Sequence, residues 1–253
     1  MANRTALAFM AHPDDAEFYC AGTLIRLAEA GWSVHIATVT AGDCGTMTES
    51  RWQIGTRRTE EATRSAALIG AHYHCLDEPD GLIIYDRPTL QKAVDLFRRV
   101  VPSLAFTHAL LDYSMDHELT ARLARAASFV YGAPNISTHP RDPNSTIPHL
   151  YYCDPPGGTD PYGHSIAPST YVDIGAQLEQ KIAMLWQHAS QREWLRAHHG
   201  MDEYVEMMKG LAAQRGGEVG VAAAEGFVQH RGASYPTNDL LADLLGPPGS
   251  GHA

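Results

Sequence analysis

The sequence lacks the features that would place it in a membrane, in a secretory route or on a polyanion. Its 253 residues contain no apolar run near the ~18 residues of a membrane-spanning helix. Its first residues pass from a very short apolar stretch straight into charged residues, without the apolar core of a signal peptide. Lys and Arg number 19 against 29 Asp and Glu, a formal net charge of −10. Because nucleic acids and anionic membranes need clustered cations, neither is expected as the main partner. The lack of a signal-peptide pattern leads us to expect a cytoplasmic protein.

Cysteine is also scarce, with four residues and no C-x-x-C pair. A chain of this length does not need disulfides to fold, so we expect reduced thiols. The hydrophobic share of 44% supplies ample material for a core. We therefore predict a single α/β domain over residues 1–246, followed by a flexible tail at 247–253 that is rich in Pro and Gly.

Strand patterns alternate with helical patterns along the chain. Apolar or β-branched runs bounded by turn residues predict strands at 5–10, 33–39, 72–76, 103–107 and 148–153. Apolar residues at helical spacing predict helices at 18–30, 55–69, 88–101, 118–131 and 175–199, the last as one long amphipathic helix. The turn-forming residues of 137–148 and 154–168 predict long surface loops or a lid. This alternation predicts a mostly parallel, doubly wound sheet flanked by helices, with ligands at the carboxyl ends of the strands.

The first strand is followed by a polar segment, Ala11-His12-Pro13-Asp14-Asp15-Ala16-Glu17. Imidazole and carboxylate are the usual ligands of a catalytic zinc that keeps an open position, so His12 and Asp15 are candidate ligands. The second carboxylate, Asp14, is then free to act as general base towards a metal-activated water in amide or ester hydrolysis. The alternative is that Asp14 or Asp15 only caps the following helix while His12 fills space.

A second polar loop follows the fourth predicted strand and offers the third ligand. It reads Asp112-Tyr113-Ser114-Met115-Asp116-His117. Neighbouring strands of a parallel sheet bring such loops together at one edge, whatever their separation in sequence. Two His and one carboxylate can also hold Fe²⁺ for oxygen chemistry, but the β/α alternation does not fit the all-β scaffold of such oxygenases. Most of the 14 histidines have an ordinary structural interpretation, and His108, which follows a strand end, is intermediate and receives no role.

Taken in order, the motifs resemble the PIG-L or LmbE-like family of metal-dependent N-acetylglucosamine de-N-acetylases. The motifs are AHPDDAE and AGTL within 11–24, TAGDCGT at 40–46, Arg58-x-x-Glu61, DYSMDH at 112–117, HASQ at 188–191 and AEGF at 224–227. The resemblance covers most of the chain and implies a Rossmann-like α/β fold. It implies that His12, Asp15 and His117 bind Zn²⁺, with Fe²⁺ or another divalent ion as the alternative. It also implies that Asp14 is the general base and Asp116 an orienting carboxylate.

One position departs from this family. Its members commonly carry a His two residues before the Asp-His pair, where it helps to stabilise the oxyanion or to protonate the leaving amine, and this chain has Ser114 there. Serine does not titrate near neutral pH. We hypothesise that His188, from the same subunit or a neighbouring one, takes this role; the alternative is that His188 only packs on the long helix.

The substrate class is an expectation from the same resemblance: a small N-acetylated amino sugar of the N-acetylglucosamine type, or a conjugate of it. Arg58, Asp112 and Ser114 are candidate substrate contacts. Asp43 is another, although it could simply bond to its own turn. The alternatives are an amidase acting on a thiol-sugar or antibiotic glycoside, and a non-catalytic sugar-binding relative. The resemblance also favours a homo-oligomer.

Overall fold

Seven strands form one mixed sheet in the computed structural model, which describes residues 4–143, 145–200 and 203–249. Residues 250–253 of the predicted tail lie outside the described residues. The strands are β1 Thr5–Met10, β2 Ser33–Thr40, β3 His72–Glu78, β4 Leu104–Thr107, β5 His149–Cys153, β6 Thr170–Asp173 and β7 Ala224–Gln229. Their order across the sheet is β3-β2-β1-β4-β5-β7-β6. The first five are parallel, and β7 pairs antiparallel with both β5 and β6. The predicted mostly parallel α/β fold is confirmed.

Helices cover both faces of this sheet. They are α1 Asp15–Tyr19, α2 Ala21–Glu29, α3 Arg51–Ala67, α4 Arg87–Val100, α5 Met115–Val130, α6 Leu178–Leu185, α7 Ala189–Trp194, α8 Tyr204–Val219 and α9 Leu240–Leu245. Short 3₁₀ turns lie at Pro134–Ile136, Pro156–Gly158 and Gly175–Gln177, and a π-helical turn at Leu195–His199 continues α7. No helix in the described ranges combines the length and hydropathy needed to cross a lipid bilayer.

The central strand β1 is buried along its whole length because helices pack on both sides of it. Ala6, Ala8 and Met10 belong to the core beneath α2, α6 and α8, whereas Leu7 and Phe9 belong to the core beneath α4 and α5. This pattern explains why β1 reads as a continuous apolar run and not as an alternating one.

Three helix boundaries differ from the predictions. The helix predicted at 18–30 is two helices separated at Cys20, and the second begins where the amide groups of Gly22 and Thr23 donate to the buried Glu225 carboxylate. The third helix begins at Arg51 and not at residue 55, because Ser50 and Gln53 form a capping box. The fifth begins at Met115, so its first turn contains Asp116 and His117, which were expected in a loop.

The prediction of one long helix over 175–199 is wrong. The segment is a 3₁₀ turn followed by α6, α7 and a π-helical turn, and the backbone leaves helical geometry at His188, the N-cap of α7. The sequence pattern also missed β6, β7, α8 and α9. Because of the break, the chain turns back at residue 188, and α7 and α8 lie over the carboxyl ends of the strands.

Candidate functional site

The two polar loops meet where the order of the sheet reverses. The loop after β1 and the loop after β4 leave adjacent parallel strands, whose following helices pack on opposite faces of the sheet. Such a switch point leaves a crevice at the carboxyl ends of the strands, which is the usual ligand site in doubly wound sheets. The topology thus places residues 12–15 beside residues 108–117.

The helix-capping interpretation of the first loop is not what the structure gives. Asp14 occupies the N-cap position of α1 but makes no side-chain cap hydrogen bond, and its backbone adopts a left-handed conformation with φ of 104°. The Asp15 carboxylate turns back, and its Oδ2 accepts the backbone N–H of His12 at 2.7 Å. A non-glycine residue with positive φ is strained, and such strain clusters at functional sites. The turn directs both carboxylates into the crevice.

Three donor groups converge on one point. His12, Asp15 and His117 each offer one ligand atom, and these atoms lie within 4.8 Å of one another. His12 Nδ1 lies 3.3 Å from Asp15 Oδ2, and His117 Nε2 lies 3.5 Å from Asp15 Oδ1. Burial alone would raise the pKa of Asp15, but His117 and His108 outweigh it and lower the pKa well below its usual value. The group is therefore an ionised carboxylate facing two imidazole nitrogens, which is a donor set that suits zinc.

The outer nitrogen of each imidazole faces another carboxylate. Asp112 Oδ1 lies 3.0 Å from His117 Nδ1. His12 Nε2 lies 3.1 Å from Asp80 Oδ1 and 3.3 Å from Asp116 Oδ2. A proton on each outer nitrogen leaves the inner nitrogen free to coordinate, which is the arrangement typical of histidines that bind metals. Asp116 thus lies beside the outer nitrogen of His12, and its carboxylate also accepts a hydrogen bond from the Gly81 amide at 2.8 Å.

Asp14 is buried and held from two sides. Arg58 Nη2 lies 3.3 Å from its Oδ1, and the Tyr204 hydroxyl donates to its Oδ2 at 2.7 Å. Burial raises the pKa of Asp14 to about 6, although Arg58 and the Tyr204 hydrogen bond act in the opposite direction. A carboxyl with a pKa near neutrality is well matched to taking a proton from water and giving it back.

A cavity of about 500 Å³ opens above these groups. Its polar end consists of His12, Asp14, Asp15, Arg58, Asp80 and His117. Its remaining wall is largely aromatic and apolar and comes from Phe18, Tyr19, Tyr113, Pro156, Trp194, Leu195, Tyr204 and Met207, with Cys44, Gly45 and Gln191. The cavity has the size of a small-molecule site, with few polar groups at one end.

The other predicted residues occupy supporting positions around this cavity. Asp43 accepts hydrogen bonds from Arg51 at 2.8 and 2.9 Å and from the Asp80 amide at 2.9 Å, so it connects its own turn to the start of α3 and to the loop after β3. Ser114 is the N-cap of α5, and its amide donates to Asp112 at 3.1 Å. Among the described residues, Asp43, Asp112 and Ser114 are not part of the cavity wall. Arg58 lines the cavity, but its guanidinium also donates to the carbonyls of Gly42 and Pro13.

His188 lies in the interior of its own chain and not in the wall of the cavity. Its Nε2 is 3.2 Å from Glu17 Oε1. Burial would lower the pKa of His188, but Glu17 and, more weakly, Asp14 raise it. The raised pKa favours the protonated form of the imidazole, which faces the Glu17 carboxylate. His188 is buried because the predicted long helix is broken at this residue. His188 is the N-cap of α7, and its side chain turns into the protein interior.

Sequence reasoning gave no role to three residues that complete the site. His108 is buried, lies 3.2 Å from Asp15 and stacks on His117 with ring centroids 3.9 Å apart. Asp80 follows β3 at the same edge of the sheet. Both could have been found, because each is a polar residue directly beyond a strand. Tyr204 could not, since it comes from α8 and contacts Asp14 across 190 residues.

Comparison with known families accounts for this arrangement. Residues 7–128 match the family model described as PIG-L: GlcNAc-PI de-N-acetylase. This segment of the chain is similar to the PIG-L family. The match includes β1 and both polar loops, from His12 to His117, and it confirms the resemblance inferred from the motifs.

Individual relatives of the protein span most of its length. A 4-oxalmesaconate hydratase of Pseudomonas putida (strain KT2440) is 28% identical over an alignment of 241 residues that covers 90% of this chain and 88% of the relative. The N,N'-diacetylchitobiose deacetylase of Pyrococcus horikoshii has the same fold, with a TM-score of 0.76 and 24% identity over 90% of this chain and 84% of that one. A conserved protein of Thermus thermophilus gives a TM-score of 0.73 and 27% identity over 92% and 97% of the two chains.

Proposed function

We propose that this protein is a metal-dependent hydrolase that removes the acetyl group from an N-acetylated amino sugar or a conjugate of one. The observation that carries the proposal is the convergence of His12, Asp15 and His117 beside a buried Asp14 at the polar end of the cavity. The PIG-L family match and the deacetylase with the same fold support the reaction class.

The proposed ligands are His12, Asp15 and His117, and Zn²⁺ is the ion that we favour. Two imidazoles and one carboxylate leave an open position on zinc, and the carboxylates of Asp112, Asp116 and Asp80 already orient the two imidazoles. When bound, such an ion lowers the pKa of its water molecule towards ~7 and polarises an amide carbonyl.

Asp14 is the proposed general base. Its carboxylate faces the cavity beside the ligand cluster and is fixed by Arg58 and Tyr204. It takes the proton of the attacking water and, once protonated, becomes the acid that gives a proton to the leaving amine. In this scheme His188 acts indirectly. Its raised pKa favours a positive imidazole beside Glu17, and this charge lowers the pKa of Asp14 in the protein interior.

The wall of the cavity favours a neutral, ring-shaped substrate. Tyr113 and Trp194 offer aromatic faces for a sugar ring, while Asp80 offers a carboxylate to sugar hydroxyls. Among the described residues that line the cavity, Arg58 is the one Arg or Lys. Its Nη1 and Nη2 already donate to protein oxygens, and its Nε is buried without a hydrogen-bond partner. The cavity is thus better suited to an amino sugar than to a substrate with several carboxylates.

Hydration of a carbon–carbon double bond is the second candidate, favoured by the identity of 28% to the hydratase over 90% of this chain. A base and a metal-activated water would serve that reaction equally well, and it needs no protonated group for a leaving amine. That would agree with Ser114 in place of the family histidine. It would, however, require carboxylate-binding cations that the described wall does not offer.

One panel of assays separates these candidates. The purified protein is analysed for metal content and tested for acetate release from N-acetylglucosamine, N,N'-diacetylchitobiose and N-acetylglucosaminides. In parallel, unsaturated di- and tricarboxylates are followed by loss of their ultraviolet absorbance. We expect acetate release and about one metal per chain in the wild type, with both lost in His117→Ala. Loss of absorbance without acetate release would establish the hydratase, and sugar binding without turnover would establish a non-catalytic relative.

We also propose that the protein is cytoplasmic and forms a homo-oligomer. Sedimentation of the purified protein tests the oligomeric state. Activity that required oxygen and 2-oxoglutarate would overturn the hydrolytic scheme in favour of Fe²⁺ chemistry.

A further inference from the structure

We propose that Tyr204 is a positioning residue for the general base, so that the segment covering the cavity also sets the geometry of Asp14. The inference rests on the proposed function of Asp14. It assigns a role to α8, a part of the chain that lies beyond the 7–128 segment matched by the family model.

The first step is the way in which Asp14 is held. Its backbone is strained, and its side chain is buried. In the described structure, hydrogen bonds reach its carboxylate from two side chains, Arg58 at Oδ1 and Tyr204 at Oδ2. The Tyr204 bond is the shorter, at 2.7 Å against 3.3 Å. The orientation of Oδ2 therefore depends on the phenol.

The second step is the rigidity of Tyr204. Its ring stacks on Phe18, a residue of α1, with centroids 5.1 Å apart and ring planes 21° apart. Phe18 also bonds to the Asp14 carbonyl through its amide at 2.9 Å. Burial raises the pKa of Tyr204 well above its usual value, so its hydroxyl keeps its proton and stays a donor. The phenol is thus fixed against the same short helix that carries the base.

The third step is the position of Tyr204 in the wall. Tyr204 and Met207 of α8 line the cavity together with Trp194 and Leu195 at the end of α7. The same segment therefore covers the substrate and supplies the donor to Asp14. A substrate that packs against Met207 acts on the base through Tyr204, because both residues belong to α8.

The test compares Tyr204→Phe with a matched control. Tyr171 also donates a phenolic hydrogen bond of 2.7 Å to a carboxylate, that of Glu218, at the protein surface. Tyr204→Phe removes only the hydroxyl and keeps the stacked ring. A hydrogen bond to a charged group contributes more free energy than one between neutral groups. We therefore expect kcat to fall about 10- to 100-fold with little change in KM. Tyr171→Phe should keep the kcat and KM of the wild type.

Two further readouts separate a positioning role from a loss of structure. Metal content and the midpoint of thermal unfolding of Tyr204→Phe should match those of the wild type. A wild-type kcat in Tyr204→Phe would overturn the inference while leaving the proposed function intact. A fall in kcat that came with an equal loss of metal would also overturn it, because the phenol would then support the metal site. An inactive wild type would instead count against the proposed function itself.

Discussion

Replacing Asp112 with Asn should weaken metal binding without unfolding the protein. Asp112 is buried, and its Oδ1 accepts from His117 Nδ1 at 3.0 Å and from the Ser114 amide at 3.1 Å. The carboxylate therefore fixes the proton of His117 on Nδ1 and points Nε2 towards Asp15. An amide of the same shape keeps the packing but loses the charge and can present its NH₂ group to the ring.

The expected magnitude follows from this one contact. A hydrogen bond to a charged group contributes about 1.5–3 kcal/mol. Each ~1.4 kcal/mol is a factor of ten in affinity, so Zn²⁺ should bind about 10- to 100-fold more weakly. The same range is typical when the partner of a metal-binding histidine is removed. Competition with a chromophoric chelator at fixed pH measures the change directly.

A second Asp–His pair provides the control. Asp160 lies 3.0 Å from His164 Nδ1, the same distance as in the Asp112–His117 pair, but in a surface loop, and neither residue lines the cavity. Asp160→Asn should leave the zinc affinity unchanged. An unchanged affinity in Asp112→Asn would refute the reasoning, because His117 would then need no carboxylate to act as a ligand.

Three other predictions concern a buried ion pair, the pH dependence of stability and the close contact between Gly42 and Arg58. Lys181 Nζ lies 2.6 Å from Glu225 Oε1, so Lys181→Met leaves a buried carboxylate without its cation. This variant should lower the free energy of unfolding, measured in urea, by about 3–5 kcal/mol, and adding Glu225→Gln should restore part of the loss. Burial and two neighbouring imidazoles lower the pKa of His35 from 6.5 to about 4. The free energy of unfolding should therefore fall by about 1 kcal/mol, a value discounted for the partial exposure of the ring, as the pH drops from 6.5 to about 4. His35→Gln should remove this pH dependence. Gly42→Ala places a methyl group 2.5 Å from the Arg58 guanidinium at a φ of +67° and should lower the rate of acetate release about tenfold by displacing that side chain.

The parallel half of the sheet was readable from sequence because its signals are local. Strands β1, β2, β4 and β5 lie within one or two residues of their predicted bounds, since each is an apolar run closed by turn residues. Their carboxyl ends fix which loops meet, and His12, Asp15 and His117 follow from that rule. The antiparallel strands β6 and β7 give no such signal, because their pairing partners are set by the rest of the sheet.

The covering half of the site was not readable for a related reason. The helical spacing of 175–199 continues through the break, and only tertiary packing reveals that His188 turns inwards beside Glu17. Tyr204 lies in a segment with no polar motif, and its contact with Asp14 joins elements 190 residues apart. Local patterns therefore predict which groups converge at the carboxyl ends of the strands, whereas the contacts of Asp14 with Tyr204 and of His188 with Glu17 depend on long-range packing.

The most direct test of the account compares metal-loaded wild-type protein with Asp14→Asn at the same metal content. Acetate release from the best N-acetylated substrate of the panel is measured under single-turnover and steady-state conditions. Because Asp14 contacts Arg58 and Tyr204 and lies outside the ligand set, the variant should bind metal normally yet release acetate at least ~10²-fold more slowly. Full turnover in metal-loaded Asp14→Asn would contradict the assignment of Asp14 as the general base.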